Sequence, residues 1–258
     1  MTNPARAPTR AQVIDEATNY VLKCNITSQV NHLHEGLKVA LKEDREKHSA
    51  TLGADALFTG TAKITKLPRY LTVQMMRFNT KRNDQGEFVK QKILRSVSFP
   101  MTLDVFELCD EKYQESLADP REALRKREER EAGVPSSSDG DAVMEDAAAA
   151  AAPSRVTGQY ELVAVLTHKG RSSDAGHYVG WVRYGCDDDD VAATAAAAAA
   201  EGSSDADRAA KKAKKDDPEW VKFDDDTISA VTADEVLRLH GGGDWHMGYL
   251  FLYRAKLG

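Results

Sequence analysis

Two residue types suited to proton transfer stand at the ends of apolar segments in the second half of the chain. His177 follows Gly176 where the segment HYVGWVRY begins, and Asp224 and Asp225 close the segment WVKFDD. A histidine works as a general base when a carboxylate holds one ring nitrogen and sets its tautomer. The spacing therefore predicts a base and its orienting acid. The alternatives are a core histidine and a plain turn at the aspartates.

Three predicted strands must position these residues. The segment YELVAVL, which begins at Tyr160, is apolar on both faces, and this is typical of a strand buried on both sides. A loop at residues 169–176 leads from it to the strand of His177. Because Gly170 and Gly176 relax the backbone at its two ends, the loop can move while His177 stays on rigid structure.

The third strand carries the aspartates. Asp224 lies 224 − 177 = 47 residues after His177, but most of that interval is of low complexity, so the two strands can be neighbours. We favour Asp224 over Asp225 as the orienting acid, because a shift of one residue turns a strand side chain to the opposite face.

Composition excludes several classes of function. The net charge of −6 provides no basic field for nucleic acid, and no apolar run approaches the ~18 residues of a membrane span. Three cysteines without a CxxC pair argue against a disulfide framework and against a cysteine-rich zinc site. We expect a soluble cytoplasmic and nuclear protein that binds neither nucleic acid nor membranes and uses no cofactor.

Two segments have the composition of insertions. Residues 110–156 contain a stretch that can form a short charged helix, REALRKREEREAG, followed by too few large apolar side chains to offset ordering entropy. Residues 185–217 combine an acidic run, alanines and a lysine cluster at 211–215. The cluster is either a nuclear-localisation patch or part of a solvated charged insertion.

Local turn and cap signals mark the remaining elements. A strand at 71–78, the turn Asn83–Gly86 and a return strand at 89–97 predict a hairpin. Thr232 and Glu235 form a capping box for a short helix, which we expect the glycines at 241–243 to end.

The segments around His177 resemble the histidine box of ubiquitin-specific proteases, and the match covers roughly residues 21–109 and 160–254. The motifs that carry it are Gly176–Val179 with Trp181, Trp220–Asp226 and Tyr249–Tyr253. Two further segments resemble the family's central palm, namely Leu67–Phe78 and Val97–Pro100. Within the family, the proteasome-associated member is the one that this chain resembles most at Leu166–Ser173 and Leu239–His246.

The resemblance implies an α+β fold: the β-rich, mostly antiparallel palm and fingers of a papain-like cysteine protease, without the N-terminal helical thumb lobe. Residues 11–109 would form the fingers and first palm strands, with the fingers hairpin at 20–48. Residues 157–184 and 218–256 would form the histidine-box palm. Cys24, His32 and His34 could suggest a metal, but the paired cysteines that hold zinc in some relatives are absent, so we expect none.

By the same resemblance, His177 is the catalytic base and Asp224 its orienting acid. Asp225 either supports the site without contacting the reacting groups or is the alternative acid. The loop at 79–90 and a second loop would obstruct the cleft. The second loop contains Gly170, Arg171, Ser172, Ser173, Asp174 and Gly176.

A nucleophile is missing from this pattern. The family takes it from an N-terminal cysteine box that has no counterpart here, and Cys24, Cys109 and Cys186 are not credible replacements. Ser173 is too near His177 in a flexible loop. The ubiquitin-like domain that docks the proteasome-associated member has no counterpart either. We therefore expect the C-terminal part of a protease domain that is inactive alone.

Three interpretations remain open. The first is a deubiquitinating cysteine protease that cleaves after the C-terminal glycine of ubiquitin and is linked to the proteasome. Its partners would be ubiquitin, ubiquitinated proteins and the proteasome. The second is a ubiquitin-binding remnant without catalysis, and the third is an unrelated β-rich interaction domain.

Overall fold

The structure, a computed structural model, describes residues 16–49, 53–133, 155–170, 176–184, 219–243 and 245–258. Within these ranges the first strands are β1 (Leu22–Cys24), β2 (Lys42–Ser49), β3 (Ala54–Thr61), β4 (Tyr70–Met75), β5 (Phe78–Arg82) and β6 (Phe88–Lys92). The later strands are β7 (Thr102–Asp104), β8 (Val156–Lys169), β9 (His177–Arg183), β10 (Trp220–Asp224), β11 (Thr227–Val231) and β12 (Met247–Leu257). The helices are α1 (Leu33–Ala40), α2 (Glu111–Glu131) and α3 (Ala233–Leu237), with a 3₁₀ turn at Phe106–Leu108.

An eight-stranded sheet forms the centre, in the order β1-β4-β12-β8-β9-β10-β11, with β7 also paired to β8. All of its pairings are antiparallel except β1 with β4. The predicted α+β class with a mostly antiparallel sheet is therefore confirmed. The hairpins β2–β3 and β5–β6 form two further small sheets. None of the helices in the described ranges is long and apolar enough to cross a membrane.

The prediction for the start of the fingers region is wrong. β1 pairs with β4 at the edge of the central sheet, and α1 packs beside β1. Gly36 of α1 lies so close to Cys24 that a methyl group there would be 2.3 Å from the sulfur. The hairpin of this region is β2–β3 alone, because the apolar residues before Lys42 belong to the core.

The prediction that the central strand β8 is buried on both sides is wrong in part, because Ala164 and Leu166 are only half-buried. Of the two alternating sets of residues along the strand, one is buried at Tyr160 and Leu162, and the other is buried at Val163 and Val165. The pairing with β12 skips Val163, so the strand has a bulge at that residue. A bulge changes which face the following side chains occupy.

Helix α2 corrects the predicted insertion at 110–156. Asp110 caps the helix by accepting from the Lys112 amide, and the helix begins at Glu111, before the short charged helix that we expected from Arg121. Leu117, Pro120 and Leu124 are buried in a narrow stripe, and the helix contacts β8 and β12. The high charge of the segment concealed this stripe. Residues 134–154 of the predicted insertion lie outside the described ranges.

The predicted hairpin turn is confirmed, but the strand before it is interrupted. Asn83 Oδ1 accepts from the amides of Gln85 and Glu87, and Gly86 has a φ of 85°. The expected strand at 71–78 is split between β4 and β5 at Met76 and Arg77. The return strand is also shorter than expected, since β6 ends at Lys92.

The interruption occurs where Arg77 is buried, with 1% of its surface exposed. Its guanidinium donates to four backbone carbonyls, at distances of 2.8 to 3.1 Å. These carbonyls belong to Ile93, Arg95, His240 and Gly248. Arg77 therefore joins the base of the β5–β6 hairpin to the approach of β12.

We expect Arg77→Met to lower the free energy of unfolding by at least about 3 kcal/mol, because several partly buried carbonyls lose their donor at once. Chemical denaturation of the chain measures this loss. Arg82→Met is the matched control, since Arg82 is exposed and donates to the Gly86 carbonyl at the hairpin tip. A loss in Arg77→Met no greater than in the control would contradict the anchoring role.

Candidate active site

The pairing of β9 with β10 brings the predicted base and acid together. Lys222 is directly opposite Trp181, and Phe223 is opposite Gly180. Because alternate residues of a strand share a face, His177, Trp181, Lys222 and Asp224 all lie on the same face of these two strands. Residues distant in the sequence thus become neighbours through sheet register alone.

His177 Nε2 lies 2.6 Å from Asp224 Oδ1. Asp225 is farther away, with Oδ2 3.8 Å from the same nitrogen, and its side chain is 78% exposed against 28% for Asp224. Asp225 has a φ of 52° and begins the turn between β10 and β11. The close contact thus goes to the aspartate that we favoured, and Asp225 lies at the edge of the site.

Lys222 is a member of this site that the sequence analysis missed. Its ammonium lies 2.7 Å from Asp224 Oδ2, the oxygen that His177 does not contact, and 5.7 Å from the centre of the Trp181 ring. Hydrogen bonds from Lys222 and His177 lower the pKa of Asp224 to about 2, and the bond from Lys222 has the larger effect. Asp224 is therefore a carboxylate throughout the neutral range. The period of two along β10 could have predicted this neighbour.

A second histidine, His246, is buried beside the pair. Its Nδ1 is 3.2 Å from the Thr167 hydroxyl, which accepts from the Trp181 indole at 3.0 Å. Burial, and then the charges of Lys222 and Lys169, lower the pKa of His246 to about 4. His246 is therefore uncharged near pH 7. It lines the site as a neutral side chain and is a poor proton carrier.

The backbone before His177 is held by close packing at Gly176. A methyl group at this position would lie 2.1 Å from Nε2 of the buried His168 and 2.6 Å from the Lys169 carbonyl. Space, more than backbone freedom, therefore requires glycine here, whereas Gly170 does have a positive φ of 113°. The other predicted loop residues, Arg171, Ser172, Ser173 and Asp174, lie outside the described residues.

The two described cysteines have the properties of core residues. Cys24 and Cys109 are fully buried, and each thiol donates weakly to a backbone carbonyl. Burial raises the pKa of Cys24 to about 12 and that of Cys109 to about 11. Neither thiol ionises readily, so both are poor nucleophiles. Cys186 lies outside the described residues.

The residues considered for a metal have separate partners. Cys24 contacts the Leu33 carbonyl, His32 contacts Ser98, and His34 lies near Glu107. No group of three His, Cys, Asp or Glu side chains in the described part of the chain could hold a metal ion.

We expect Gly176→Ala to lower the free energy of unfolding by about 1–3 kcal/mol, because the added methyl group overlaps His168 and backbone. Gly180→Ala is the matched control on the same strand, where the nearest atom would be 3.8 Å away. Its unfolding free energy should change by less than about 0.5 kcal/mol. Equal effects of the two changes in denaturant titrations would contradict the packing argument.

Lys222→Met should raise the pKa of Asp224 from about 2 towards its usual 3.8, because the largest stabiliser of the carboxylate is removed. Carboxyl carbon chemical shifts, followed by NMR during acid titration, measure this change. The control Lys66→Met removes the same charge from an exposed lysine.

The same substitution should alter the pH dependence of stability. The pKa of Asp224 is depressed in the folded state, so ionisation stabilises the fold above about pH 3.8 and this contribution is lost as the pH falls towards 2. The loss should be smaller in Lys222→Met than in the native chain. An unchanged Asp224 titration in the variant would exclude the contact with Lys222.

Comparison with known proteins identifies the family of this chain. The profile described as "Ubiquitin carboxyl-terminal hydrolase" matches residues 9–253. Ubiquitin carboxyl-terminal hydrolase 6 of Arabidopsis thaliana is 40% identical over an aligned length of 260 residues, and the alignment covers 92% of this chain and 47% of that protein. Ubiquitin carboxyl-terminal hydrolase 14 of Caenorhabditis elegans is 32% identical over an aligned length of 251 residues, and the alignment covers 93% of this chain and 45% of that protein.

Among solved structures, the SAGA Ubp8/Sgf11/Sus1/Sgf73 DUB module bound to ubiquitin aldehyde contains a similar chain. The match has a TM-score of 0.49 and 17% identity, and it covers 92% of this chain and 36% of that one. The chain spans about half the length of the curated relatives it matches. From the profile match and the two curated relatives, the chain belongs to the ubiquitin carboxyl-terminal hydrolase family.

Proposed function

We propose that this chain supplies the general base and the orienting acid of a deubiquitinating cysteine protease. The reaction is thiol-dependent hydrolysis of the bond that follows the C-terminal glycine of ubiquitin. The contact of 2.6 Å between His177 Nε2 and Asp224 Oδ1 carries the proposal, since it lies within the match to the family. The family's characteristic reaction needs such a pair beside a thiol.

In the proposed mechanism, a cysteine from another part of a longer protein is the nucleophile. His177 accepts the thiol proton through Nδ1, because Nε2 is engaged with Asp224. The thiolate attacks the glycyl carbonyl, and the imidazolium protonates the departing amine, which leaves a thioester. Water, deprotonated by His177, then attacks the thioester and releases ubiquitin and the free thiol.

The electrostatics support His177 as the base. Asp224 remains ionised in the neutral range because Lys222 and His177 lower its pKa to about 2. A permanent carboxylate stabilises the imidazolium that forms when the thiol loses its proton. Burial keeps the neighbouring His246 neutral, with a pKa of about 4, so it does not compete for that proton.

A ubiquitin-binding protein without catalysis is the second candidate. The burial of Cys24 and Cys109 favours it, since neither can serve as the nucleophile in this fold. Such a protein would bind ubiquitin and would have no use for the His177–Asp224 pair. Turnover measured separately from binding distinguishes the two candidates.

We expect His177→Ala and Asp224→Asn in the complete protein to reduce kcat at least about 100-fold, because proton transfer loses its base or its orientation. Release of a fluorophore from the C-terminus of ubiquitin measures kcat, and calorimetry with ubiquitin measures binding. Ubiquitin affinity should change less than about threefold, since these two side chains act in the reaction step and not in binding.

The control is Asp225→Asn, which changes an exposed neighbour in the same aspartate run. Asparagine tolerates the positive φ at this position, so the turn should be retained. Full turnover in His177→Ala would reject the proposal. Ubiquitin binding by a complete native protein that has no turnover would favour the second candidate.

The proposal includes a role in proteasomal degradation, in the cytoplasm and nucleus. The resemblance of Leu166–Ser173 and Leu239–His246 to the proteasome-associated member supports this setting. Purified proteasomes should retain the complete protein in co-sedimentation experiments. Absence of co-sedimentation would contradict the link to the proteasome. It would not affect the proposed hydrolase activity.

A further inference from the structure

Lys92, the last residue of β6, is a buried cation whose role is not explained by the reaction. It is 5% exposed, and its ammonium contacts His168 Nδ1 at 2.7 Å, the His168 carbonyl at 3.0 Å and the Gly170 carbonyl at 2.6 Å. Within the described residues these partners are a ring nitrogen and two carbonyls, with no carboxylate among them. Three acceptors match the three protons of an ammonium group.

These acceptors lie at the end of the ladder that carries His177. The final pair between β8 and β9 is Lys169 with His177. Lys92 binds the carbonyls on both sides of Lys169, at His168 and Gly170. It therefore fixes the backbone of the residue that is paired with His177.

The His168 ring extends this contact to the other side of His177. An ammonium can only donate, so His168 Nδ1 accepts and the ring proton of neutral His168 is on Nε2. Burial, and then the charge of Lys92, lower the pKa of His168, which favours this neutral form. The ring closely approaches Gly176, the residue immediately before His177.

Lys92 is itself held firmly, as a positioning residue requires. It pairs with Phe78 at the base of the β5–β6 hairpin, and the Phe78 ring packs edge-on against His168 at 5.4 Å. The next residue, Ile93, exchanges two hydrogen bonds with Arg77, one from its amide and one to its carbonyl. The backbone at Lys92 is thus held by its pairing with Phe78 and, one residue later, by Arg77.

We propose that Lys92 is a positioning residue for His177, holding the end of β8 and, through the His168 ring, the backbone at Gly176. The relevance to catalysis rests on the proposed function, whereas the structural role does not. An apolar residue could fill the same volume, but it would leave the carbonyls of His168 and Gly170 and His168 Nδ1 without this donor. Loss of the ammonium should therefore loosen the strand ends locally.

Amide hydrogen exchange of the chain tests the structural role. The variant is Lys92→Met, which keeps most of the aliphatic stem, and the control is Lys66→Met, which removes the same charge from an exposed site. Burial lowers the pKa of Lys92 to about 8, so the measurement is made below pH 7, where the ammonium is charged.

Lys92→Met should accelerate exchange at least about tenfold at residues 168–170 and 176–178. The remote strand β11 should exchange as in the control. Acceleration spread evenly over the sheet, or no acceleration near His177, would overturn the proposal.

A measurement on the unmodified chain covers the case in which Lys92→Met fails to fold. Bound ammonium protons exchange slowly with water, so NMR of ¹⁵N-labelled lysine should show protected Lys92 protons close in space to the His168 ring. Rapidly exchanging Lys92 protons without such proximity would also overturn the proposal.

Kinetics of the complete protein test the consequence for the reaction. Lys92→Met should lower kcat at least about tenfold and change KM less than about threefold, since the base is displaced while the binding surface remains. A fall in activity that only follows the unfolded fraction would reduce Lys92 to a structural residue. If the native protein has no turnover, the proposed function fails, and the exchange pattern still decides the role of Lys92.

Discussion

The antiparallel pairing of β9 with β10 is the constraint on which the candidate site depends. Residues 185–218, which connect these strands, lie outside the described ranges. Within the described residues, the register of the two strands forms the site. The register aligns Lys222 with Trp181, and it brings Asp224 to His177 on the same face. A shift of one residue would exchange Asp224 for Asp225 or Phe223 and would break the contact.

Two buried cations stabilise irregular backbone at the base of the β5–β6 hairpin and at the end of β8. Arg77 and Lys92 are both almost fully buried, and both are satisfied mainly by backbone carbonyls. A carbonyl at the end of a strand has no hydrogen-bond partner in the ladder. A charged donor can bond to it, and such bonds are stronger than those between neutral groups. The two residues thus hold segments that sheet pairing alone leaves unsatisfied, and the segment held by Lys92 adjoins His177.

The parts of the fold that were predicted correctly are those specified by adjacent residues. The turn at Asn83–Gly86 and the capping box of Thr232 and Glu235 depend on side chains that bond their own backbone, so short motifs reveal them. The helix after that box ends at Leu237, before the glycines expected to end it. Gly241 has its positive φ in the following loop, against the Arg77 guanidinium.

The parts that were missed depend on tertiary contacts. The stripe on α2 shows its purpose only against β8, and the bulge at Val163 depends on pairing with β12. Lys92 reaches His168 across 76 residues, which no local pattern indicates. Within the site, the family motif and strand alternation pointed to His177 and Asp224. The same alternation along β10 also places Lys222 on the face of Asp224, but the sequence analysis did not use it.

The central claim is that Asp224 orients His177 so that Nδ1 is available to take a proton. A carboxylate only accepts hydrogen bonds, so the contact with Nε2 requires the neutral ring to carry its proton there. Long-range ¹H–¹⁵N NMR of the imidazole, recorded where His177 is neutral, distinguishes the two tautomers directly. The account predicts a predominantly Nε2-protonated ring in the native chain and a mixture in Asp224→Asn. An Nδ1-protonated ring in the native chain would contradict it.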